Sequence, residues 1–127
     1  MPTLALVPVL TRNGDYSYGY WTGPTLTSGT RIPSFAPMTD QQRSVPAYDN
    51  FDAVSKIHDL AYDTAQTQFW NDLQNGIPNS TALIRYDRAI SAADAAFVTA
   101  ASQVTASTDW GEQVRELGIA TLSLSRD

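Results

Sequence analysis

Residues 49–73 read DNFDAVSKIHDLAYDTAQTQFWNDL, and their periodicity decides the architecture. Phe51, Val54, His58, Ala61, Tyr62, Ala65 and Phe69 recur at steps of three and four, which is one face of an α-helix. Asp49 is placed to cap the free N–H groups, and Asp52 suits the positive end of the helix dipole. Asn75-Gly76 and Pro78 break the pattern, so the spacing predicts a helix over 49–73. Its apolar stripe holds the one histidine of the chain and a tyrosine four residues further on.

Downstream, Leu83, Tyr86, Ile90, Ala93, Phe97, Ala101 and Val104 form a second stripe, predicting an alanine-rich helix over 80–105. The short link between the two makes them antiparallel neighbours. A third helix is expected over 109–122, with Asp109 as cap, Glu112 completing a capping-box-like pair, and Trp110, Val114, Leu117 and Leu122 buried. Upstream, residues 11–47 are rich in Gly, Pro, Thr and Ser and have no helical period. There TLTSGTRI (25–32) alternates around Ser28-Gly29 and predicts one small β-hairpin in an otherwise ordered loop. Residues 3–10 read as a short entry strand. The fold expected is a mainly α single domain over 1–127. Two long antiparallel helices are followed by a third C-terminal helix and preceded by an extended loop.

Composition narrows the chemistry. A net charge of −5 with only eight Lys and Arg argues against nucleic-acid binding, which needs clustered cations. The absence of cysteine rules out disulfides and thiolate metal sites. One histidine leaves too few ligands for a zinc enzyme, and no Asp-x-Asp-x-Asp-Gly loop suggests an EF-hand. No signal peptide or transmembrane stretch is legible, and the sequence leaves the compartment open.

His58 and Tyr62 face the same way, and Asp94 lies in the stripe of the second helix with Ile90, Phe97 and Ala101. If the stripes meet, an imidazole, a phenol and a carboxylate converge in an apolar interface. A buried carboxylate is costly unless it is hydrogen-bonded. A His58–Asp94 contact, with the Tyr62 hydroxyl donated to the same acid, offsets that cost and frees the other imidazole nitrogen as a base. Asp87, seven residues before Asp94, lies on the same face. Asp59 is turned about 100° from His58. Beside YWTGPT (20–25) it would give a hard cation such as calcium both carbonyl and carboxylate oxygens. A satisfied core histidine fits the same pattern without catalysis.

The stretches YWTGPT (20–25), DAVSKIHDLAYD (52–63), AADAAF (92–97) and STDWGEQV (107–114) together resemble the phospholipase A2 superfamily. The similarity is to the secreted-type His-Asp-x-x-Tyr helix, and most of all to the cysteine-free phospholipase A2 domain of parvovirus capsid proteins. It covers most of residues 18–114, leaving 1–17 as an extension and making 18–48 a calcium-loop region. The resemblance implies a calcium-dependent hydrolase that cleaves the sn-2 ester of glycerophospholipids at a membrane surface. His58 would be the general base, oriented by Asp94, with Tyr62 hydrogen-bonded to Asp94; Asp87, followed by Arg88 and Ala89, resembles the Asp-Arg pattern of the disulfide-linked animal enzymes and is the runner-up for that partner. Ca2+ would be held by Asp59 and the carbonyls of Trp21, Gly23 and Thr25, and Gly23 N–H would face the oxyanion. Thr25 stands where that family usually carries a second glycine. Tyr18, Tyr20, Trp21, Phe35 and Met38 are candidates for lipid contact. The alternatives are a non-enzymatic helical interaction module and an inactive relative that binds calcium or lipid.

Overall fold

The computed structural model describes residues 6–23, 26–31 and 37–124. The protein is mainly helical. In chain order the elements are β1 (Leu26–Thr27), β2 (Thr30–Arg31), α1 (Asp40–Arg43), α2 (Asn50–Gln74), α3 (Asn79–Ala101) and α4 (Asp109–Leu124).

Helix α2 starts as its sequence dictates. Asp49 is the N-cap, and its side chain accepts the Asp52 N–H. The helix ends in a Schellman arrangement: Ile77 N–H donates to Asp72 O and Gly76 N–H to Leu73 O, with Gly76 at φ +80°. That sharp reversal sends α3 back along α2. Phe69 near the end of α2 meets Tyr86 near the start of α3, ring centroids 5.5 Å apart. His58 near the start of α2 meets Asp94 near the end of α3. The pair is therefore antiparallel. Tyr18, Phe51, Val54, Phe97, Ala101, Trp110 and Val114 form the core, drawn from the N-terminal loop and the three long helices. Each large apolar side chain so buried contributes roughly 1.5–3 kcal/mol.

The hairpin lies where the alternation puts it. Leu26 pairs with Arg31 and Thr27 with Thr30, antiparallel. Ser28 and Gly29 both have positive φ, +52° and +82°, as a two-residue hairpin turn needs.

Five expectations need correction. A one-turn helix, α1, lies within the region read as loop, closed by a Thr39–Gln42 capping box. Helix α3 stops at Ala101, not 105; the Arg115 guanidinium takes the Ala101 carbonyl, while Val104 turns back on to the core. Thr108, not Asp109, caps α4, its hydroxyl accepting the Gly111 N–H at 2.9 Å. Glu112 instead accepts from the Ala106 N–H and pairs with Arg115. The entry strand at 3–10 is reduced, in its described part, to one bridge between Val9 and Gly19; residues 1–5 lie outside the described residues. Leu83 and Leu117, assigned to buried stripes, are exposed. No helix among the described residues is long and apolar enough to cross a membrane.

Candidate active site

The two long helices bring three polar side chains together. His58 Nε2 lies 2.8 Å from Asp94 Oδ1, and the Tyr62 hydroxyl donates to the same oxygen at 2.5 Å. Asp94 is buried, and the imidazole is nearly so. A carboxylate only accepts, so an ionised Asp94 requires the proton on Nε2. Nδ1 is then the basic nitrogen. Phe97 and Tyr62 flank the ring, with centroids 5.2 and 4.4 Å away. Burial, and then the hydrogen bond to Asp94, push the Tyr62 hydroxyl well above the usual phenol range. Tyr62 therefore remains a donor at any physiological pH. Asp87 is exposed on α3 and takes no part, which removes the runner-up.

His58 lines a cavity of about 500 Å³. Asp59, Trp21 and Gly23 lie on its walls, and Leu26, Met38, Phe97, Val114 and Leu122 give it an apolar interior. Asp59 is half-buried, with the Thr27 hydroxyl 3.4 Å from its Oδ2. Burial pushes this carboxyl up to about 8, the nearby Asp52 adds to the rise, and the Thr27 hydroxyl only partly opposes it. A carboxyl group that lines a cavity together with loop residues is a donor set suited to a hard cation. Trp21 and Gly23 line the same cavity. The Gly23 carbonyl accepts the Leu26 N–H at 3.3 Å and keeps a second lone pair. Thr25, the third expected carbonyl ligand, lies outside the described residues. Among the described residues no group of three or more His, Asp or Glu side chains converges on one point, which a site of carbonyls and one carboxylate does not require.

Gly23 must be glycine. Its φ is +128°, and a Cβ there would lie 2.8 Å from the Ser17 backbone. The loop is held by a residue whose role the sequence reading missed. Asp52, read there only as a first-turn acid, is fully buried and accepts the N–H groups of Tyr20 and Trp21. It also accepts the Thr22 hydroxyl and the Tyr48 N–H. The legible signal was the spacing Asp52, Ser55, Asp59: a polar stripe down one face of α2, bonded to Thr22 at its middle and Thr27 at its end.

Other acids brace the surroundings. Asp63 accepts the Met38 N–H and the Arg43 guanidinium, tying α1 to α2 beside the cavity. Burial alone would raise Asp49, but the Asp52 N–H, the Tyr18 hydroxyl and the Ser107 donors hold it below the usual carboxylate range. Of the residues expected to contact lipid, Trp21 and Met38 line the cavity but do not reach the outer surface. Tyr18, Trp21 and Met38 are buried because the loop folds inward on to Asp52 and the core, Tyr20 is half-buried, and Phe35 lies outside the described residues. The exposed apolar side chains lining the cavity are Tyr16 and Leu117.

Comparison of the chain with protein-family models, with curated proteins and with solved structures finds no match.

Proposed function

We propose that the protein is a calcium-dependent phospholipase A2, a hydrolase that releases the sn-2 fatty acid of glycerophospholipids. The observation that carries this reading is the His58–Asp94–Tyr62 contact at the wall of an apolar cavity, with the Asp59 carboxylate alongside. An imidazole oriented by a buried acid is a general base; an apolar cavity of this size takes an acyl chain.

His58 Nδ1 accepts a proton from a water molecule, whose oxygen attacks the ester carbonyl carbon. Asp94 stabilises the imidazolium that forms, and Tyr62 fixes the carboxylate facing it. The imidazolium returns the proton to the departing glycerol oxygen, leaving a lysophospholipid and a fatty acid. No acyl-enzyme is required. Calcium, held by Asp59 and the carbonyls of Trp21 and Gly23, would polarise the ester and offset the oxyanion charge. The Gly23 N–H would add a donor to the oxyanion. With an acyl chain in the cavity, its apolar lining would keep bulk water from the base.

The test is incubation with mixed phospholipid vesicles in calcium, with a parallel sample in chelator. Equimolar lysophospholipid and sn-2 fatty acid, formed only with calcium, is the expected result. Calcium binding without product would leave an inactive binding protein; neither binding nor product would leave a helical module whose polar cluster serves packing alone.

A further inference from the structure

We infer that Asp52 is the positioning residue of the cation site: it fastens the loop bearing Trp21 and Gly23 to the helix bearing Asp59. The inference rests on the proposed function and adds a residue to it.

Asp52 and Asp59 are seven residues apart on α2, two turns, so they project from one face about 10 Å from each other. Asp52 has no exposed surface, and all four donors around it come from outside its own helix. Three of them, Tyr20 N–H, Trp21 N–H and the Thr22 hydroxyl, belong to consecutive residues of one loop, at 2.9–3.0 Å. The next peptide is fixed as well: Thr22 N–H donates to the Tyr18 carbonyl at 3.1 Å. In a planar trans peptide that sets the opposite direction for the Trp21 carbonyl. The loop is built around this acid. Gly19 has φ +64°, and a Cβ there would stand 2.4 Å from the Asp52 carboxyl carbon. Charge-assisted bonds of this kind are stronger than neutral ones. The consequence is that carbonyl and carboxylate ligands, far apart in sequence, are carried on one rigid unit before any cation arrives. Preorganisation of that sort raises affinity by removing the ordering cost.

The variant that tests this is Asp52→Asn. An amide keeps the shape but offers one acceptor oxygen where each carboxylate oxygen now takes two donors. Two bonds are lost, and two donors are set against the amide N–H groups. Calcium chloride titration by calorimetry should show the midpoint raised about tenfold or more. Without calcium, the amide protons of Tyr20 and Trp21 should exchange faster than in the parent. Asp72→Asn, at a buried acid near the other end of α2, should leave both readings unchanged. If Asp52→Asn does not fold, Thr22→Val removes one of the four bonds and should raise the midpoint about threefold. A parent that binds calcium, with a folded Asp52→Asn or Thr22→Val variant binding it equally well, overturns the inference and spares the proposed function. A parent that binds no calcium overturns both.

Discussion

Replacing Asp59 by Asn isolates the electrostatic cost of the cation site. The carboxyl is raised from the usual 3.8 to about 8 by burial first and Asp52 second. Between those values the folded chain binds more protons than the unfolded one. Its stability therefore falls as pH rises through the window from about 4 to about 8, and is flat above it. A rise from 3.8 to about 8 sets an upper bound of roughly 6 kcal/mol on that fall. Asp59 is only half-buried, so solvent screening reduces the expected swing to about 2 kcal/mol, or roughly 6–8 °C in Tm for a domain of this size. Asn is isosteric, keeps an acceptor for the Thr27 hydroxyl, and has no charge to desolvate. Calcium-free thermal denaturation of parent and Asp59→Asn should thus agree most closely near pH 4. The variant should be the more stable one near pH 8. Added calcium should then raise the Tm of the parent and leave that of the variant unmoved. A variant that is less stable than the parent at both pH values, or that responds equally to calcium, would refute the reasoning.

Three other substitutions probe separate parts of the account. Asp94→Ala strands the His58 Nε2 proton and the Tyr62 hydroxyl; steady-state assays should show kcat lowered about 10²–10⁴-fold, with a folded far-UV spectrum. Tyr62→Phe removes only one hydrogen bond to Asp94, so kcat should fall about fivefold with KM little changed. Gly111→Ala lies in the core: a Cβ would meet the Tyr18 ring at 2.6 Å and the Ala106 side chain at 2.7 Å. Chemical denaturation should find it destabilised by about 1–3 kcal/mol through overpacking.

Much of this was legible because helices write their buried face into the sequence at a fixed period. The α2 stripe predicted both the helix and the direction of His58 and Tyr62. The short reversal at Asn75-Gly76 then paired α2 with α3, which selected Asp94. Features set by contacts distant in sequence were not legible. Asp52 looks like an ordinary first-turn acid until the loop at 20–22 folds on to it, and no local rule says that it will. Trp21 looked like a surface aromatic, but its indole donates to the Val45 carbonyl and the Lys56 ammonium stands over its ring, so it turns inward. Helix α1 is too short to show a period; only its Thr39–Gln42 capping pair marked it. At the early end of α3 the Ala101 carbonyl accepts from Arg115, a residue of the next helix.

The most direct measurement is release of labelled fatty acid from the sn-2 position of vesicle phospholipid, by the parent protein and by His58→Ala side by side. The account predicts turnover by the parent in calcium, none in chelator, and none by the variant although it remains folded. Equal release by both proteins, or no release by the parent with calcium present, would contradict it.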